Sequence, residues 1–145
     1  MSEQNKSLMR RIVEELWNQK KPALIDQFYA DKYVGHTPDG QLQGHAGARQ
    51  HYNTYVTAFP DCQVSIDDMV AEGDKVAIRF TATGTHRGEL AGIAPSGKKM
   101  NVSGNLTVRI TDGMVVEDYN VWDTLKLAQQ IGAVGQVGQA RGATR

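Results

Sequence analysis

The hydrophobic period of this chain changes at Asp61: apolar residues recur at helical spacing before it and alternate with polar ones after it. From Ser7, the residues Leu8, Ile12, Val13, Leu16 and Trp17 form one stripe, while Arg10, Arg11, Glu14 and Glu15 fill the other face, which predicts a first helix. Pro22 suits the first turn of a second helix, where its missing N–H has no intrahelical partner. Leu24, Ile25, Phe28 and Tyr29 are the buried stripe of that helix, which should end near Asp31. Residues Gly35 to Gly47 hold His36, Pro38, Asp39, Gly40 and Gly44 and read as a long loop. A third helix is expected from about Ala48, with Tyr52, Tyr55, Val56 and Phe59 on one side, until Pro60 stops it.

Beyond Asp61 the chain reads as strands. Val64 and Ile66 alternate with polar residues, Glu72-Gly73-Asp74 supplies a turn, and Val76, Ile78, Phe80 and Ala82 continue the alternation. Arg87 to Lys99 holds Gly88, Gly92, Pro95 and Gly97 beside Leu90 and Ile93, a segment that could serve as a lid. Val102, Leu106, Val108 and Ile110 lead to Asp112-Gly113, a strong hairpin signal, and Met114 to Trp122 forms the returning strand. Thr124 to Ile131 predicts a short helix closed by Gly132. Helices first and strands after imply an α+β fold, since parallel crossovers would alternate the two types. One domain over residues 1–132 is expected, with 133–145 a disordered tail too poor in apolar residues to pack.

Composition narrows the function classes. Lys plus Arg and Asp plus Glu number 16 each, and no basic stripe follows a phosphate backbone, so nucleic acid is not an expected partner. Cys62 is the single cysteine, which rules out an internal disulfide, and no Cys/His cluster has metal-ligand spacing, so no metal is expected. The chain shows neither a signal-like N-terminus nor an apolar run of about 18 residues, which points to a cytoplasmic protein with no membrane partner. Ser96-Gly97-Lys98 lacks the upstream glycine of a phosphate loop and no helix follows it.

Several ordered motifs carry a family resemblance. Gly84-Thr85-His86-Arg87-Gly88-Glu89-Leu90-Ala91-Gly92-Ile93-Ala94-Pro95, then Gly97-Lys98, Arg109-Ile110-Thr111-Asp112-Gly113, Glu117, Trp122-Asp123 and Gln130-Ile131-Gly132 resemble the SnoaL-like polyketide (ester) cyclase family. The Tyr33 to His36 segment and Phe59-Pro60-Asp61 do so as well, and the likeness runs from about residue 7 to residue 132. It implies the nuclear-transport-factor-2-like fold shared with ketosteroid isomerase and scytalone dehydratase. That fold is a conical barrel, made of a curved antiparallel or mixed sheet with three N-terminal helices on its concave face. It also implies ring closure by intramolecular aldol condensation of a polyketide methyl ester, without metal or organic cofactor, although the family includes polyketide hydroxylases. A binding or assembly module without turnover is the alternative from another class. The expected ligand is an apolar or aromatic small molecule, and the expected assembly a homodimer or higher homo-oligomer.

Asp123 aligns with the family's catalytic aspartate, so the resemblance implies a general acid/base role. The residues themselves leave another reading open, in which Asp123 caps the helix starting at Thr124 through a backbone N–H near Lys126. The family's histidine on the strand before the Asp-Gly turn is missing, because that stretch holds Asn105, Leu106 and Thr107 and no histidine follows His86. Asn105 is therefore the expected oxyanion donor. If the hairpin carries a one-residue bulge, Asn105, Thr107, Arg109, Glu117, Tyr119 and Asp123 share one face, taken to line the cone. The alternative for Arg109 and Glu117 is a cross-strand ion pair. Tyr119 is expected inside the cone and Trp122 outside, where it joins Val108 and Val116 on a surface for dimerisation. His36, His86, Tyr33, Tyr55, Phe59 and Arg109 complete the expected binding set, with a structural role the alternative for His86. Tyr52, Tyr55 and Phe59 could equally be core, and His45 and His51 read as surface or boundary residues.

Overall fold

The computed structural model describes residues 2–134, so most of the expected disordered tail lies outside the described residues. The first helix, α1 (Ser2–Arg11), runs on as a π-helical stretch over Ile12–Asn18. Its wider winding keeps Ile12, Val13 and Leu16 all buried. The Asn18 amide then clips the helix end to the sheet edge, donating to Val64 O at 2.9 Å and accepting from Val64 N at 2.7 Å.

The second helix is shorter than its apolar stripe suggests. A single 3-10 turn at Pro22–Leu24 leads into α2 (Ile25–Phe28), and the backbone turns extended at Tyr29. Tyr29–Thr37 is strand β1, and Gly40–Gln43 is β2, so the expected loop is half of a hairpin. Sequence reasoning missed β1 because its apolar residues are few and its partner, β6, lies some 80 positions further along the chain in a parallel pairing. Helix α3 (Gly44–Ala58) starts four residues before Ala48, at a glycine with φ +63°.

Strands β3 (Gln63–Glu72), β4 (Lys75–Thr85), β5 (Lys99–Thr111) and β6 (Met114–Trp122) follow, and α4 (Thr124–Gln130) closes the described fold. The sheet order is β2-β1-β6-β5-β4-β3, antiparallel throughout except for β1 beside β6. This is the expected α+β architecture, a curved mixed sheet with the N-terminal helices on one face. Asp112 and Gly113, both at positive φ, make the turn of the expected hairpin. Arg109 pairs with Glu117 and Ile110 with Val115, so Val116 is the extra residue of the expected bulge.

Two apolar clusters fill the interior. The larger joins Met9, Ile12, Leu16, Ile25 and Phe28 from the helices to Val76, Ile78, Val108 and Ile110 from the sheet. The smaller gathers Phe59, Leu90, Met100, Val102, Leu127 and Ile131. Leu90 belongs to the segment considered as a lid, and that segment is docked. Arg87 N and Gly88 N both donate to Ala58 O at the end of α3, His86 N donates to Lys98 O, and Gly97 N donates to His86 O. A Cβ at position 88 would stand 2.0 Å from Thr57 O, so only glycine allows this approach.

Candidate active site

A cavity of about 140 Å³ opens between the helices and the concave face of the sheet. Its walls are mostly aliphatic and aromatic, and its polar groups are few, the usual make-up of a small-molecule site. Which strand residues reach it is decided by β5 and β6. Val108 and Ile110 are buried in the core, which fixes the inward parity of β5. Asp118 pairs with Val108, Asn120 with Leu106 and Trp122 with Gly104, so Asp118, Asn120 and Trp122 face inward from β6 and line the cavity.

Asp118 is 6% exposed and accepts hydrogen bonds from the Tyr33 hydroxyl at 2.9 and 3.0 Å to its two oxygens. Burial pushes its pKa up to about 7; the Tyr33 hydrogen bond and the nearby His36 pull it down, and Glu117 adds a smaller upward push. The Tyr33 hydroxyl is held protonated by the same burial and by the charge on Asp118. Tyr29 packs edge-on against the Tyr33 ring at 4.8 Å. Gly35 makes this pair possible: two residues after Tyr33 and paired with Asp118, it leaves open the space a Cβ would fill, 2.3 Å from the Tyr33 hydroxyl and 3.1 Å from Asp118 Oδ1.

The α3 wall is aromatic. His51 lies 5.9 Å from Trp17, 5.2 Å from Tyr55 and 5.8 Å from Trp122 between ring centroids, and all four rings line the cavity. Burial lowers the His51 pKa to about 4, with Asp39 acting weakly against it, so the imidazole is neutral over most of the pH range. The Tyr55 hydroxyl donates to Asp39 and ties α3 to the β1–β2 turn. His51 thus lines the cavity rather than the surface, and so do Tyr33, Tyr55 and Phe59 among the residues expected to bind.

The other expected site residues stand elsewhere. Asp123 is exposed and follows the last residue of β6; its carboxylate accepts from Lys126 N at 3.0 Å and caps α4, so the capping reading describes it. Asn105, Arg109 and Tyr119 do share a face with Glu117, as the bulge predicted, but it is the convex face. There Arg109 and His36 both bond Glu117, at 3.1 and 2.8 Å, and His36 stacks on Tyr119 at 4.2 Å. These contacts hold Glu117 below the usual carboxylate range, His36 contributing most and Arg109 next. Tyr119 is 55% exposed, whereas Val108 and Trp122, expected outside, point inward. His86 is fully buried, with Nδ1 bonded to Ser96, and does not line the cavity. The signal for the inward face was present in β5, where Val102, Leu106, Val108 and Ile110 alternate. Four aliphatic residues on one side of a strand mark the core side.

Among the described residues no three His, Cys, Asp or Glu side chains gather at metal-holding distance, and no helix is long and apolar enough to cross a membrane.

Comparison with known proteins places this geometry. The model of the SnoaL-like polyketide cyclase family matches residues 7–131. AclR, a candidate hydroxylase from Streptomyces galilaeus, is 27% identical with a TM-score of 0.85, over 99% of this chain and 90% of that one. A candidate SnoaL-like polyketide cyclase from Jannaschia sp. CCS1 is 22% identical with a TM-score of 0.85, over 92% and 95%. A protein of ketosteroid isomerase-like fold from Catenulispora acidiphila DSM 44928 is 14% identical with a TM-score of 0.74, over 86% and 92%. A search of curated proteins found no match.

Proposed function

This chain belongs to the SnoaL-like polyketide cyclase family, and we propose on that premise that it closes a ring in a polyketide-like carbonyl compound by acid/base catalysis at Asp118. The observation that carries this reading is a buried carboxyl with a pKa near 7 in the wall of an apolar cavity. As carboxylate, Asp118 removes a proton from a carbon flanked by carbonyls. The enolate carbon then bonds to a second carbonyl of the same molecule, and the alkoxide formed there takes the proton back from Asp118. One carboxyl serves both stages because its pKa lies close to the working pH. Tyr33 positions the carboxyl through its hydroxyl, and the aromatic wall at Trp17, Tyr55 and Trp122 offers faces on which a flat ring stacks.

Ring closure of an enolisable polyketide-like ester, followed by chromatography and mass spectrometry, tests the assignment. Asp118→Asn should lower the rate by about 10²- to 10⁴-fold. Asp123→Asn should leave it unchanged, and retained activity in Asp118→Asn would sink the reading. The likeness to AclR favours a second reading, hydroxylation of a related compound. Product mass separates the two, since aldol closure conserves it and hydroxylation adds one oxygen.

A further inference from the structure

Asn120 stands two residues after Asp118 on β6, so both side chains leave the strand on the concave face, with Cα atoms about 6.6 Å apart. Its Oδ1 is buried and has no hydrogen-bond partner among the described residues. The register partner of Asn120 across the sheet is Leu106, which offers the amide nothing. A buried amide oxygen without a donor is rare in a folded protein, and here it belongs to a residue that lines the ligand cavity. No protein donor fixes which end of the amide faces which way, and a half-turn exchanges Oδ1 for the Nδ2 donor. The ligand is the partner left to set it.

We propose that Asn120 holds the substrate oxygen attached next to the carbon that Asp118 deprotonates. This deepens the reading of Asp118 given above and rests on it. When the C–H bond breaks, the proton passes to the Asp118 carboxylate and the electron pair moves onto the neighbouring carbonyl oxygen. That oxygen accepts a hydrogen bond from Asn120 Nδ2. A carbonyl oxygen and its α-carbon are one atom removed from each other, a separation that two adjacent inward positions on one strand can span. The cavity sets the size of the reacting part. At about 140 Å³ it matches an apolar cavity that admits a single benzene ring, about 150 Å³. The substrate class is thus a ring-sized enolisable carbonyl compound, and any further rings lie outside the cavity.

The test uses 4-nitrophenolate as a stand-in for the enolate and 4-nitrotoluene as its counterpart without the oxygen. Both of the chain's tryptophans, Trp17 and Trp122, line the cavity, so quenching of their fluorescence reports occupancy. Asp118→Asn protein is the background, because its neutral amide imitates the protonated acid and does not repel the phenolate. Adding Asn120→Leu should weaken 4-nitrophenolate by about ten- to a hundred-fold, the loss of a hydrogen bond to a charged group, and leave 4-nitrotoluene unchanged. Asn120→Asp, close to the native shape, should reject the phenolate by its charge and still take 4-nitrotoluene. Unchanged phenolate binding in both variants, or no binding of either probe to the background protein, overturns the inference. If Asn120 proves silent while Asp118→Asn still abolishes ring closure, this inference fails and the proposed function stands. If Asn120 discriminates the probes but Asp118→Asn keeps full ring closure, the proposed function fails alone.

Discussion

Burial holds Asp118 at a pKa of about 7, whereas an aspartate in an unfolded chain titrates near 3.9, so the native state keeps a proton that the unfolded state has lost across that interval. Stability therefore falls as pH rises from about 4 to about 7 through this group. His51, lowered to about 4, acts the opposite way: it resists protonation in the fold, and stability falls as pH drops below its unfolded value of about 6.5. Asp118→Asn should remove the first effect and stabilise the protein by up to about 4 kcal/mol at about pH 8, with little change at about pH 4. Calorimetry at the two pH values checks this, and equal shifts at both would contradict it. The pH–rate profile carries a further expectation. The Tyr33 hydrogen bond lowers the Asp118 pKa, and Asp118 must be ionised to take the proton, so Tyr33→Phe should move the acidic limb to higher pH. A midpoint that stays in place would mean that Tyr33 does not set the carboxyl's titration.

At the scale of elements, the junction between β6 and α4 separates two aspartates that the sequence places five positions apart. Asp118 lies within the strand and faces the cavity, whereas Asp123 lies just past its end, where its carboxylate serves the helix. Asp123→Ala should cost about 1 kcal/mol in urea unfolding, as the loss of a helix cap does, while ring closure is retained. On β1, Gly35→Ala should disable the site with the fold intact. The added methyl would stand where the Tyr33 hydroxyl now meets Asp118, so activity should fall while far-ultraviolet circular dichroism is kept.

For the whole molecule, the curvature of one six-stranded sheet decides which side of each strand encloses the cavity. Val108 and Val121 lie on adjacent strands with opposite fates, the first fully buried and the second 56% exposed. Val108→Asp should lower stability by several kcal/mol, because an unpaired charge would enter the core, and Val121→Asp should change it by less than about 0.5 kcal/mol. Urea midpoints of the two variants would reverse if the convex and concave faces were misassigned.

Much of the fold was legible along the chain. The change of period at Asp61, the Asp112-Gly113 turn, the bulge that follows it and the cap at Asp123 all arise from residues within a few positions of one another. Such patterns are set by local sterics and by side-chain periodicity. The site was less legible. Periodicity alone grouped Asn105, Arg109, Glu117 and Tyr119 correctly, yet it carries no sign that tells concave from convex. Strand β1 was hidden because its parallel partner β6 is distant in sequence, and without β1 neither Tyr33 nor Gly35 could be brought to Asp118. Local patterns marked α1, α3, α4, the strands from β3 to β6 and the residues that travel together on a face. Which face closed over the cavity depends instead on sheet curvature and on a contact between residues 33 and 118, which no local pattern records.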